Sequence, residues 1–175
     1  MQSSRDLGTI VRTERLVLRE LDPDTDARFV FELLNTPKFI KYIGDRGVHS
    51  ADEAREFIDS HYRQSYRDHG YGLYTVLIRD TEVPVGICGF VRRDTLPGPD
   101  LGFAFLPEHE QKGYGFESAA AMMEHGRKVH GFGEVFAITT QDNDASAHLL
   151  TKLGFRFDKL FQSGPETLRL FVCDK

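Results

Sequence analysis

The stretch Leu101–Met123, LGFAFLPEHEQKGYGFESAAAMM, decides how the rest of the chain is read. Asp100 to Leu106 is an apolar and aromatic strand pattern that Pro107 ends. A polar loop with glycines at 113 and 115 then leads directly into a helix whose apolar stripe is Phe116, Ala119, Ala120 and Met123. Strand, glycine loop and helix start in that order bring backbone N–H groups close to a ligand, and the helix N-terminus adds partial positive charge. The combination suits a pyrophosphate, although the same glycines also serve a plain loop before a helix. Two other phosphate motifs are excluded by spacing: G-x-G-x-x-G fails because position 118 is Ser, and G-x-x-x-x-G-K-[ST] does not occur.

Working outward, Val135–Thr140 is almost wholly β-branched or aromatic and reads as a strand. Asp144–Leu153 reads as a short helix capped by Asn143 or Asp142 and stopped by Gly154. Phe155–Phe161 and Thr167–Val172 are strands around the turn Ser163-Gly164-Pro165. On the other side, Val85–Val91 and Leu73–Ile78 are strands, the latter apolar on both faces and hence central. Before them, Ala27, Val30, Phe31 and Leu34 mark a helix that Pro37 should stop. Ala54, Phe57, Ile58, His61, Tyr62, Ser65 and Tyr66 share the inner face of a second, ended by Gly70 and Gly72. Arg15–Arg19 is a first strand and residues 1–12 a flexible lead-in. The order β-α-α-β-β-β-α-β-α-β-β is that of one mixed α/β domain over residues 13–173.

The chain has 175 residues, enough to bury roughly 70% of its surface without metal or disulfide staples. Its 22 basic and 27 acidic residues give a net charge of −5, which argues against a nucleic-acid binder with a broad basic face. No apolar run approaches a membrane span, and Met1–Ile10 has no apolar stretch of signal-peptide length. Two distant cysteines, Cys88 and Cys173, make no zinc spacing and suit a reduced, cytoplasmic chain. The seven histidines show neither H-x-x-x-H nor H-E-x-x-H, so no metal site is expected.

Three further segments complete a pattern with the central one: Thr13-Glu14-Arg15-Leu16-Val17-Leu18-Arg19, Asn143-Asp144-Ala145-Ser146, and Leu150-Thr151-Lys152-Leu153-Gly154-Phe155. In this order and spacing the chain resembles the GNAT superfamily of N-acetyltransferases, in its RimJ/RimL-like branch. The resemblance implies a mostly antiparallel sheet flanked by helices, whose parallel central strands, here 100–106 and 135–140, splay apart. It implies acetyl-CoA in that wedge. The pantetheine arm would bond the free edge near Phe105 and Leu106 and the side chain of Asn143. The pyrophosphate would rest on backbone N–H groups of Gln111, Lys112, Gly113, Tyr114 and Gly115. Ser146 would sit near the thioester sulfur as proton donor. The activity implied is direct attack of an amine, a protein N-terminus or a small molecule, in a ternary complex. A non-catalytic acyl-CoA-binding module of the same fold is the alternative, and the chain is expected as monomer or homodimer.

Two positions depart from the family pattern. Glu110 stands where Gln or Arg is usual, so with Glu108 the loop is acidic where phosphates should land, opposed by Lys112. Leu150 stands where many members carry a tyrosine acid. Asp100 matches the place of a glutamate base in some members, but reads first as a turn residue after Gly98-Pro99. Glu166 lies near a second such place. Tyr42, Arg46 and Tyr62 are candidates for the acceptor cleft, His148 for its rim or the surface, and Cys88 for a buried small hydrophobe.

Overall fold

The computed structural model describes residues 8–174. Its eight strands are β1 (Thr9–Arg12), β2 (Leu16–Arg19), β3 (Leu73–Ile78), β4 (Pro84–Val91), β5 (Asp100–Phe105), β6 (Val135–Thr140), β7 (Arg156–Ser163) and β8 (Glu166–Cys173). They form one sheet in the order β1-β2-β3-β4-β5-β6-β8-β7. All neighbours are antiparallel except β5 and β6. These two are parallel and meet at a single rung, Asp100 opposite Phe136, where the Phe136 N–H donates to the Pro99 carbonyl at 2.8 Å. Beyond that rung they diverge, as the splayed arrangement requires.

The helices are α1 (Ala27–Leu34), α2 (Pro37–Tyr42), α3 (Ala51–Phe57), α4 (Gln64–His69), α5 (Tyr114–His130) and α6 (Asp144–Lys152). A π-helical stretch, Ile58–Arg63, joins α3 to α4. One sheet face lies under α5: Leu16, Leu18, Val76, Cys88, Phe90 and Leu101 pack with Ala119, Met122 and Met123. The other lies under α1 to α3, where Leu21, Val30, Leu33, Leu34, Ala54 and Ile58 meet Ile87 and Leu106.

Four sequence expectations are corrected. The lead-in is not loose over residues 9–12: β-branched Thr9, Ile10 and Val11 form β1 along β2, and Ile10 and Val11 pack on the core. Residues 1–7 of that segment lie outside the described residues. Pro37 does not simply end a helix. It opens α2, because Thr36 Oγ1 accepts from the Phe39 N–H at 3.2 Å and a proline at the first helical position costs no hydrogen bond. The second expected helix is continuous from Ser50 to Gly70 only by passing through the π-helical turn. Phe116 is not part of the buried stripe of α5; it is 39% exposed beneath Lys152.

Candidate active site

The loop between β5 and α5 takes its shape from two residues with positive φ, Gln111 (60°) and Gly113 (84°). Gly113 is the N-cap of α5 and has no side chain to satisfy the first helical N–H groups, which stay open to a ligand. A Cβ on Gly113 would lie 3.0 Å from the Arg15 guanidinium, and one on Gly115 would lie 3.2 Å from Leu149. Glycine thus lets the helix start pack closely while leaving a cradle clear of side chains.

The segment before β2 braces this loop. Arg15 Nη1 donates to the Lys112 carbonyl at 2.9 Å and Nε to Glu117 Oε2 at 2.6 Å. The Thr13 hydroxyl and the Arg15 backbone N–H both donate to Glu117 Oε1, at 2.6 and 2.9 Å. The Arg15 guanidinium also lies 4.8 Å from the centre of the Tyr114 ring. At the far end of β2, Arg19 forks onto both oxygens of buried Asp26, at 2.7 and 2.9 Å. The order T-E-R-L-x-L-R is visible in the sequence; its partners Glu117, Lys112 and Asp26 are not, because they are distant in the chain.

In the wedge between β5 and β6 is a cavity of about 460 Å³. Among its walls are Phe105, Gln111, Gly113, Tyr114, Gly115, Asn143 and Ser146, together with Lys38 and Tyr42 of α2. Seven of the expected cofactor residues are therefore brought together, including all three named glycine-loop neighbours of the helix start. Asn143 Oδ1 accepts from the Ser146 N–H at 3.2 Å and so caps α6. The Ser146 hydroxyl has no hydrogen-bond partner among the described residues.

One expected contact is corrected. Leu106 presents no backbone group to the wedge: its N–H donates to Val85 O at 2.9 Å, its carbonyl accepts from the His109 N–H at 3.0 Å, and its side chain is buried. Alternation along β5 instead aims the backbone of Phe103 and Phe105 at the open side. Lys112 is exposed and its carbonyl is held by Arg15, an arrangement that leaves its backbone N–H, the group expected at the pyrophosphate, uncommitted among the described residues. The acids are also placed. Glu110 pairs with Lys38 at 2.5 Å, Asp142 with Lys41 at 3.8 Å, and Glu108 is exposed and lines neither cavity described here.

A second cavity, of about 550 Å³, shares Phe39, Ile43, Phe103 and Ala104 with the first. Its wall includes Ser60, His61 and Tyr62 of the π-helical stretch, a turn type that recurs at functional sites. Sequence periodicity does not reveal that turn. Its floor is β5, where Asp100, Gly102 and Ala104 share one face and the small residues leave it open. Asp100 is 2% exposed; Oδ2 accepts from Arg93 Nε at 2.5 Å and Oδ1 has no partner among the described residues. Burial pushes its carboxyl up to about 6, against the opposing pull of Arg93.

Arg46 and Tyr62 line this second cavity, whereas Tyr42 lines the first. Burial raises the Tyr62 hydroxyl above the ordinary tyrosine range. Leu150 is core, and Cys88 is fully buried with its thiol pushed up to about 12 by desolvation. Glu166 sits opposite Ser163 at the tip of the β7–β8 hairpin and lines neither cavity; His148 is exposed. Among the described residues no three His, Cys, Asp or Glu cluster as metal ligands, and no helix is long and apolar enough to cross a membrane.

Comparison with known proteins gives this geometry a family. The family model described as an acetyltransferase (GNAT) domain matches residues 15–156. The uncharacterized N-acetyltransferase YoaA of Bacillus subtilis (strain 168) is 27% identical over 148 residues, 84% of this chain and 82% of its own. Two solved structures share the fold. A RimL ribosomal α-N-protein acetyltransferase in complex with coenzyme A has a TM-score of 0.81 at 16% identity, over 95% of this chain and 97% of its own. The spermidine N-acetyltransferase of Vibrio cholerae with CoA and spermine has 0.75 at 18%, over 93% and 96%. The chain therefore belongs to the acetyltransferase (GNAT) family and is an acetyl-CoA-dependent N-acetyltransferase.

Proposed function

We propose that acetyl-CoA occupies the wedge and that a primary amine reaches its thioester through the second cavity. The observation that carries this reading is the meeting of the two cavities at Phe103 and Ala104 on β5. The open N–H groups at the start of α5 would receive the pyrophosphate, and the backbone of Phe103 and Phe105 the pantetheine amides. Asn143 would contact the same arm with the part of its amide that does not cap α6. The RimJ/RimL-like branch and a protein N-terminal α-amine as acceptor are supported by the opening motif and by the fold likeness; small amines are the second acceptor class. Buried Cys88 and Cys173, both free thiols, fit a reducing compartment such as the cytoplasm.

In the reaction so assigned, the amine nitrogen attacks the thioester carbonyl, the C–S bond breaks, and Ser146 passes a proton to the departing sulfur while taking one from solvent water, the amine's own proton leaving separately. A thiol with pKa about 8.5 is a tolerable leaving group, which fits Leu150 in place of a tyrosine acid. The amine must be neutral to attack. At pH 7 an α-amine with pKa about 7.8 is roughly a tenth neutral, and a lysine far less. Asp100 is the candidate acceptor of the proton lost. It lies about 10 Å along β5 from Phe103, so transfer would run through water along the open floor.

Release of free thiol from acetyl-CoA, measured with peptides of defined N-termini and with polyamines, tests the reading. Turnover with a peptide α-amine supports it. Absence of turnover with every amine, alongside a CoA-induced rise in melting temperature, would overturn it.

A further inference from the structure

Resting on the acetyl-transfer reading above, we propose that the acceptor amine carries carboxylates, which Arg46 and Arg92 bind on the wall of the second cavity. The chain has five more acidic than basic residues, and its arginines mostly find carboxylates: Arg15, Arg19, Arg55, Arg63, Arg67, Arg156 and Arg169 all do. Arg46, from the loop after α2, and Arg92, just past β4, line one cavity from different elements. Neither has a hydrogen bond or ion pair with another described residue.

The acids in the same cavity do not balance them. Asp100 is already held by Arg93, and Asp68 accepts a hydrogen bond from Gln64 Nε2 at 2.8 Å. With Asp100 and Arg93 cancelling, two guanidiniums face one carboxylate. The local sign is therefore opposite to that of the molecule as a whole. An amine that brings its own positive charges, such as a polyamine, meets repulsion here. One that brings carboxylates meets planar, permanently charged forks suited to them. The cavity volume, about 550 Å³, admits more than a single amino acid, so the acidic group has room to sit on the residues that follow an N-terminus.

The test compares acceptors matched in all but charge: the peptides Ser-Glu-Glu-Tyr, Ser-Gln-Gln-Tyr and Ser-Lys-Lys-Tyr, and free glutamate against free glutamine. The expected kcat/KM order is acidic, neutral, basic. Each step should be roughly three- to tenfold at low salt and shrink as salt rises. Preference among peptides alone assigns the source to a protein N-terminus; preference for free glutamate assigns it to a small molecule. In the double variant R46Q/R92Q the acidic-to-neutral ratio falls towards one, with the CoA-induced thermal shift retained as a check on folding. Equal rates, a basic preference, or an unchanged ratio in that variant would overturn the proposal. If no amine turns over, acetyl transfer is what fails. Calorimetric binding of the same peptides to the CoA-loaded protein then decides: acidic over basic supports the proposal, and equal or absent binding overturns it.

Discussion

Lys38 Nζ lies 2.5 Å from Glu110 Oε2, an ion pair that ties α2 to the loop ahead of α5. It removes much of the difficulty posed by an acid beside a phosphate-binding loop, since the Glu110 charge is answered from α2. Lys38 is 59% exposed and Glu110 27%, so the pair contributes at most about 1 kcal/mol to stability. Glu110→Gln should therefore leave the melting temperature nearly unchanged. It should also free Lys38 for the ligand and lower the acetyl-CoA KM roughly two- to fivefold, an effect that fades with salt. A raised KM in steady-state kinetics would show that Glu110 helps to bind the cofactor.

A Cβ on Gly115 would stand 3.2 Å from Leu149 at the cavity wall, a tight contact that puts any side chain at the start of α5. Gly115→Asp should abolish the CoA-induced thermal shift by adding bulk and negative charge at the helix start. Circular dichroism of the variant should remain that of a folded chain. Unchanged CoA affinity would move the pyrophosphate away from α5.

Ser146 offers a cleaner separation of chemistry from structure. Its backbone N–H, not its hydroxyl, receives the Asn143 cap. Ser146→Ala should lower kcat roughly 10²-fold or more with little change in acetyl-CoA KM or melting temperature. Asn143→Ala should cost about 1 kcal/mol of stability through loss of the cap, and raise KM as well. Equal kinetics for wild type and Ser146→Ala would remove the hydroxyl from the mechanism.

Asp100 links activity and stability to pH in the same window. Its carboxyl is raised from 3.8 to about 6 by burial, so between those values the folded protein keeps a proton that the unfolded chain has released. Stability from this group is then highest at low pH and lost as pH rises through about 6, a cost of roughly 3 kcal/mol once ionised. In Asp100→Asn, stability relative to wild type should rise between pH 4 and pH 7, as read by denaturant titration. If Asp100 takes the amine proton, the same variant should lose the limb near pH 6 from its kcat/KM profile and fall at least 10²-fold in rate.

The strands and long helices were legible in the sequence because β-branched runs and 3.6-residue periodicity are local signals. The same holds for the Asn143 cap and the left-handed glycines that close α4 and α6, Gly70 and Gly154. β1 carries no comparable local signal, because Thr9–Arg12 is short and gains its order from pairing with β2. The family resemblance names the seven residues that line the wedge, but does not tell that Leu106 turns both of its backbone groups elsewhere. Which backbone groups of β5 stay unpaired depends on the register with β4, and the shape of the loop at Lys112 depends on Arg15, far away in the sequence. The charge of the second cavity was hidden for the same reason: Arg46, Arg92 and Asp100 meet only in three dimensions.

The single rung between β5 and β6 also has a mechanical meaning. Strands β1–β5 and β6–β8 are two half-sheets, stitched along the backbone at Asp100 and Phe136 and parted everywhere beyond. Any molecule whose amides bridge Phe103 and Phe105 to the opposite lip completes the seam. Occupancy and rigidity then rise together, and slowed amide exchange on both sides of the gap would record the joining of the halves.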